Sequence, residues 1–452
     1  MKKWFAAFIV LVAAAWPMDP ALIPPADPRQ ALRQTGQASA EAFAGLKDYG
    51  LKNYIGLSKD LPHAENTSWK LVCRMPYNCH FQPWIQLEAP AGQVIRFNSS
   101  NPLVLYLMPT ETYTTVSGEQ TYEAKNWVSG EGAIYTIPAG VMVTAVKYRE
   151  TGYDTMLAGS FECNDNDYNI LWQKAARTVY VCLRDHFYDC PDRERVGFWG
   201  DGTPELNQCF YAFDTACHRL CKELVLKKLQ PKFYPGQHLE FLGEYGLWFY
   251  YLHTGDLKSI KAVYDSTKTF LLETYQFGNP RQWFDWGKEV KDIPVIETCF
   301  FYIDLKALKR MAQVTGHEAD IPVIEARLDA IKSTFDDKYW KGDCYMSANV
   351  YTPDDRANAM AVNAGLADRS KWAAIYDNVL TKMTNASCFF DRWGFSSHLF
   401  RFRFPGRRPL GKPHRYGIGD IGNHHHHLSG SDRALYQGHA DRRGSHLPLV
   451  DL

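Results

Sequence analysis

An antiparallel β-sandwich followed by a larger all-helical domain is the architecture this sequence predicts, and three observations predict it. Between residues 66 and 160, apolar and polar residues alternate in short runs split by Gly, Pro, Ser and Asn turns. After Asn164 the period becomes helical and stays so. Thr254-Gly255 and Thr315-Gly316 each close an apolar helix just before the next one begins, the layout of stacked helical hairpins. At 452 residues, 46% of them hydrophobic, the chain has length and apolar content enough for two domains with real cores.

Residues 1–15, M-K-K-W-F-A-A-F-I-V-L-V-A-A-A, combine a basic start, a short apolar run and a small-residue finish. That is the layout of a secretory signal peptide cleaved after Ala15, and the apolar run is too short to span a bilayer. The mature protein is therefore expected in a bacterial periplasm or outside the cell. Residues 16–65 begin rich in Pro, Ala and Asp, turn weakly helical, and read as a linker or remnant. The β-sandwich domain is expected over 66–163. Its strands include Q-V-I-R-F-N, L-V-L-Y-L, A-I-Y-T-I and V-M-V-T-A-V-K-Y, and its turns P-A-G, S-S-N-P and V-S-G-E-G.

The helical domain is expected over 164–393. D-Y-N-I-L-W-Q-K-A-A-R-T-V-Y starts its first helix, and 207–229 forms another. H-L-E-F-L-G-E-Y-G-L-W-F-Y-Y-L-H is read as a third, and later helices fit 354–367 and 370–384, about eight in all. From Gly394 both periods vanish. The last 59 residues hold eight of the 15 histidines, eight arginines and no glutamate. His424 to His427 have neither acidic nor cysteine partners beside them, so 394–452 reads as a disordered tract and not as a metal site. We expect it to be an out-of-frame or foreign end standing where the natural one belongs.

A net charge of zero argues against nucleic acid or an anionic membrane as main partner. No cofactor motif is visible. The 13 Trp, 26 Tyr and 25 Phe suit either thick aromatic core layers or the apolar C–H faces of sugars. Eleven cysteines lie without C-x-x-C pairing. Cys217 and Cys221 at helical spacing, or Cys73 and Cys79 around a Pro-Tyr-Asn turn, could bridge in an oxidising compartment, the latter pair being the better candidate. Most are expected to be small buried residues.

The segment D-C-P-D-R-E-R-V-G-F-W-G-D, Asp189 to Asp201, sets four acids among arginines and aromatic rings on a loop between helices. A ring that desolvates one carboxyl makes it a proton donor, while an arginine keeps another ionised. Glycoside cleavage needs that division: an acid for the departing oxygen and a carboxylate for the water. The same residues would equally serve an interhelical salt-bridge loop stiffened by Pro191.

The segment resembles the signature of the α-L-rhamnosidases of glycoside hydrolase family 78, roughly D-C-P-x-R-E-R-x-G-W-x-G-D. W-F-D-W, Trp283 to Trp286, is similar to that family's aromatic-acid wall of the sugar subsite, and A-N-A-M-A-V-N-A-G-L, Ala357 to Leu366, to a late barrel helix. The similarity covers roughly 66 to 393. It implies an (α/α)6 barrel after the sandwich and an inverting hydrolase of terminal α-L-rhamnosyl groups on polysaccharides or glycosides. It also implies Glu194 as general acid, with Asp189 and Asp201 on rhamnose hydroxyls and Arg193 as local counter-ion. Trp283, Asp285 and Trp286 would wall the subsite. The family's tryptophan position is Phe198 here, with Trp199 next, so either ring is a candidate beside the sugar.

Two departures matter. The family draws its general base from a T-x-W-E type segment, and no Trp-Glu pair occurs in this chain. An (α/α)6 ring is twelve helices by definition, and about eight are written through residue 393. An open ring leaves apolar helix faces in water at about 25 cal/mol per Å². Poor folding and little hydrolysis are therefore expected. The alternatives are a noncatalytic fragment with residual sugar binding and an (α/α)6 glycosidase acting on a different sugar.

Overall fold

The computed structural model describes residues 46–100, 111–191, 195–227, 229, 235–278 and 292–377. The expected signal peptide, the linker through residue 45, the L-V-L-Y-L strand and the 394–452 tail lie outside the described residues.

Eight strands form one antiparallel sheet: β1 (Leu46–Lys52), β2 (Gly56–Leu57), β3 (Trp69–Ala89), β4 (Val94–Ser99), β5 (Glu111–Thr114), β6 (Gly118–Glu123), β7 (Val128–Ile137) and β8 (Met142–Tyr153). The order is β1-β8-β3-β7-β4-β5, with β2 and β6 also on β3. β3 changes partner along its length. Its first half pairs with β7, Trp69 opposite Ile137, and its second with β6, Ala89 opposite Gly118. β8 follows the other edge from His80 to Glu88. A strand with different neighbours at its two ends makes the sheet curl, and the alternating side chains of β3 put Leu71, Cys73, Ile85 and Leu87 on the inner face. There they meet Ile95, Tyr135, Ile137, Val143 and Tyr148 in one core cluster.

Three strand-level expectations are corrected. Strands β1 and β2 form inside the stretch read as a linker, because β1 pairs with β8 from Leu46 opposite Tyr153. V-S-G-E-G is not a turn but the start of β7, where Gly132 lies against the backbone of Cys73, with room for no side chain between them. Cys73 and Cys79 do not bracket a turn either. β3 runs through both with an irregularity between Arg74 and Cys79, and both thiols are free and buried. Burial pushes the Cys73 thiol up to about 12.

Ten α-helices follow among the described residues: α1 (Asn166–Cys182), α2 (Trp199–Ala212), α3 (His218–Val225), α4 (Pro235–Leu242), α5 (Leu247–Thr254), α6 (Leu257–Thr269), α7 (Ile293–Thr315), α8 (Ile321–Tyr339), α9 (Asp355–Ala364) and α10 (Trp372–Ile375). Gly255 and Gly316 take left-handed φ of 65° and 85° as C-caps, as the Thr-Gly turns predict. The helix expected over 207–229 is instead the end of α2 and all of α3, broken where Phe213 turns extended and Asp214 caps Ala216. The H-L-E-F to Y-L-H helix is also two, α4 and α5. Its break spans Gly243 and Gly246, which lie against Asp304 and the Phe241 carbonyl. Cys217 and Cys221, the other candidate bridge, are free. Of the helix expected over 370–384, a short turn and α10 are seen, and residues from 378 lie outside the described residues.

Candidate active site

The acid-bearing segment joins α1 to α2. α1 ends at Leu183, whose N–H closes on Tyr180, and Leu183 forms a bridge with Phe187 that turns the chain back. Asp189 then closes the loop on itself: its N–H donates to the Val196 carbonyl at 3.0 Å, and its Oδ1 accepts the Val196 N–H at 2.8 Å. The Cys190 thiol donates to the other oxygen at 3.3 Å. The carboxylate at the start of the motif thus fixes the ends of an eight-residue loop, whatever else it binds. Asp192, Arg193 and Glu194, among them the expected general acid and its counter-ion, lie outside the described residues.

The flanking residues are tightly held. Arg195, directly after Glu194, takes φ of 54°, the left-handed region that a Cβ disfavours. Its Nε donates to the Pro191 carbonyl at 2.8 Å, and its own carbonyl accepts from His186 Nε2 at 3.1 Å. The guanidinium lies 3.3 Å over the ring of Trp127, the residue just before β7. Gly197 is required by packing, because a Cβ there would come within 2.9 Å of the Phe187 carbonyl oxygen. The Lys227 ammonium donates to the Gly197 carbonyl, and desolvation holds its pKa well below the usual lysine range.

Phe198 is the extended N-cap of α2 and is half-buried, and Asp201 sits in the first helical turn, where the helix dipole favours a carboxylate. α2 therefore begins inside the motif rather than after it. Trp199 corrects an expectation. It is 3% exposed, stacks on Phe241 at 5.2 Å, meets His238 edge-on at 4.7 Å, and its indole N–H donates to the Leu224 carbonyl at 3.2 Å. It is a core residue of the helical region, because the first turn of α2 directs it toward α4, and Phe198 is the ring left on the loop. The structure brings Asp189, Phe198 and Asp201 to one loop-helix junction. Trp283, Asp285 and Trp286 lie outside the described residues.

Sequence reasoning missed the sheet's share in this site. His80 of β3 donates from Nε2 to the Val181 carbonyl at 2.7 Å and accepts from Arg184 at Nδ1, 3.3 Å away. Trp127 lies 4.5 Å from His80 and stacks parallel to Tyr188 at 6.0 Å. A cavity of about 80 Å³ beside this joint, lined in part by Asn98, Glu111, Trp127 and Arg195, has room for several waters. No periodic signal marks a lone aromatic at a strand boundary, so Trp127 was not legible. A second polar centre precedes α7, after the W-F-D-W segment. Asp292 is fully buried, accepts the Ser347 N–H at 2.8 Å, and donates its own N–H to Asp354, which pairs with Arg356 at 2.9 Å. Burial raises the Asp292 pKa above the ordinary carboxyl value.

Among the described residues, no group of three or more His, Cys, Asp or Glu side chains is arranged to hold a metal ion, and no helix is long and apolar enough to cross a membrane.

Comparison with known proteins identifies residues 157–225 and 241–390 with the bacterial alpha-L-rhamnosidase 6 hairpin glycosidase domain. The fold is similar to a rhamnosidase from Klebsiella oxytoca solved with rhamnose bound, at TM-score 0.64 and 11% identity over 80% of this chain and 83% of that one. It is similar to a glycoside hydrolase family 78 rhamnosidase of Bacillus sp. GL1, at TM-score 0.57 and 20% identity over 71% of this chain and 38% of that one. It also resembles a Streptomyces avermitilis α-L-rhamnosidase complexed with L-rhamnose, at TM-score 0.60 and 17% identity over 76% and 36%. The chain thus spans under two fifths of the length of the last two. No curated protein sequence matches it.

Proposed function

Because the chain belongs to the bacterial α-L-rhamnosidase family of six-hairpin glycosidases, we propose that it acts on terminal α-L-rhamnosyl groups of polysaccharides or glycosides, with inversion at the anomeric carbon. The observation that carries this reading is the acid-bearing loop between α1 and α2, which lies inside the matched domain and is closed by the Asp189–Val196 pair. Glu194 is the general acid in this reading. Its proton goes to the glycosidic oxygen as the C–O bond breaks, and the bonding electrons leave with the aglycone. Asp189 and Asp201 hold sugar hydroxyls, Arg193 balances their charge, Phe198 faces the deoxysugar, and Trp283, Asp285 and Trp286 wall the far side. The helical region is read as part of an (α/α)6 barrel over 164–393, and the curled sheet as the β-sandwich domain over 66–163, extended upstream by β1 and β2. A signal peptide at 1–15 would send the protein to the periplasm or outside a bacterial cell.

Inversion needs a second carboxylate about 6.5–9.5 Å from the acid to activate water. The sequence holds no Trp-Glu pair to supply the family's base, so hydrolysis by this chain is expected to be slow. The same fact favours a second reading, in which the chain binds rhamnose without turning it over. Azide needs no base, and it separates the two. With an aryl α-L-rhamnoside, azide is expected to raise the rate and yield the β-L-rhamnosyl azide, and Glu194→Gln to remove that rate for poor leaving groups. Absence of azide-dependent turnover would leave only the binding reading, and an α-configured azide would overturn inversion.

A further inference from the structure

We propose that Trp127, the residue just before β7, is a positioning residue for the acid-bearing loop: it grips the Arg195 guanidinium and thereby fixes the backbone at Arg195 and Val196, directly after the expected general acid in sequence. The consequence for sugar rests on the rhamnosidase reading above, while the positioning itself rests on geometry alone.

Arg195 is the one non-glycine residue with positive φ among the described residues. A conformation that a Cβ disfavours persists only where its surroundings over-determine it. Its side-chain contacts include the Trp127 ring at 3.3 Å, the Trp127 carbonyl at 3.4 Å from Nη2, and the Pro191 carbonyl at 2.8 Å from Nε. The last contact joins Arg195 to Pro191, four residues earlier in the loop. The guanidinium therefore ties Arg195 to Pro191, and Trp127 holds that tie from outside. Were it released, Arg195 would relax to negative φ and loosen the Asp189–Val196 closure beside it.

Trp127 is itself anchored on several sides. Arg184 lies 4.3 Å over its ring, Tyr188 is parallel at 6.0 Å, and His80 packs at 4.5 Å. The sheet's own core does not need this ring. Trp127 is half-buried, and the apolar cluster of the sheet includes its neighbour Val128 but not Trp127. An indole in contact with two guanidinium groups at the boundary of sheet and loop is explained by what it holds.

The test uses the full chain as wild type, Trp127→Ala, Trp127→Tyr and, as a control for plain destabilisation, Ile137→Ala in the sheet core. Hydrogen–deuterium exchange reads the Val196 amide, which the Asp189 carboxylate accepts. Trp127→Ala is expected to speed that exchange about tenfold, the worth of a desolvated cation–π contact, while the β3–β7 ladder keeps its wild-type rate. Trp127→Tyr retains a ring face and is expected to restore most of the protection, and Ile137→Ala to loosen the ladder instead. Unchanged Val196 exchange in Trp127→Ala, or a Tyr variant as fast as the Ala variant, overturns the proposal. L-rhamnose titrated into the same proteins reads the consequence: weaker binding in Trp127→Ala and rescue by Trp127→Tyr support it. If the wild type binds no rhamnose, the sugar reading falls, and the exchange comparison still decides the positioning claim.

Discussion

His80 has a fixed tautomer in this fold: Nε2–H donates to the Val181 carbonyl, and Nδ1 accepts from Arg184. A proton on Nδ1 would face that guanidinium, and burial together with Arg184 holds the imidazole pKa well below its ordinary 6.5. Below pH 6.5 the unfolded chain takes up a proton that the folded one refuses, so stability is full above that pH and falls as pH drops. The slope approaches about 1.4 kcal/mol per pH unit, and His80→Gln is expected to flatten it in urea titrations between pH 7 and 5. Gly197 is a second residue-scale case. Gly197→Ala forces a Cβ to within 2.9 Å of the Phe187 carbonyl, and a loss of about 1–3 kcal/mol is expected, read as a lower urea midpoint. The motif's spacing made Asp189, Phe198 and Asp201 legible as a group. It did not reveal that Trp199 points into the core or that Trp127 meets the loop, because both depend on contacts between residues far apart in sequence.

Among the elements, the strands with clean alternation were legible, as were the two helix ends marked by Thr-Gly. What was not legible were breaks and pairings made by distant partners. The apolar run from His238 to His253 reads as one helix, yet Gly243 and Gly246 split it, because Asp304 of α7 and the Phe241 carbonyl occupy the space where side chains would stand. Gly243→Ala, with backbone of Asp304 within 2.8 Å of the new Cβ, is expected to cost several kcal/mol and to lower the melting temperature sharply. Asp304 is fully buried, neither of its oxygens has a hydrogen-bond partner among the described residues, and desolvation raises its pKa well above 3.8. Its protonated form is the one the fold accepts, so its contribution is intact below pH 3.8 and is lost as pH rises toward its folded pKa. Asp304→Asn is therefore expected to match wild type near pH 4 and to exceed it increasingly toward pH 7 in thermal melts. Similarly, β1 hid within a stretch of weak helical character, since its strand conformation comes from pairing with β8 and not from its own pattern.

Over the whole described region, sheet and helices interlock through buried and half-buried polar contacts. Tyr49 meets Tyr180 at 2.8 Å, Arg177 Nε donates to the Asn78 carbonyl at 2.8 Å, and Arg184 donates to Thr151 at 3.1 Å. Tyr153 donates to the Ala216 carbonyl at 2.9 Å, and Thr155 to Asp214 at 2.7 Å. Two bodies joined this way are expected to unfold together, so near-ultraviolet and far-ultraviolet circular dichroism should trace one coincident transition in urea; two separated midpoints would refute it. The family was legible from thirteen residues because the motif is dense, whereas the given sequence holds no Trp-Glu pair from which a general base could be read. The claim on which the functional reading depends is that this loop holds a rhamnosyl group. Calorimetric titration of L-rhamnose into the full chain and into Asp201→Asn tests it most directly. A saturable heat in the wild type, with affinity reduced about tenfold or more in the variant as for a lost charge-assisted hydrogen bond, is the predicted result. No heat in the wild type, or equal affinity in both proteins, would contradict it.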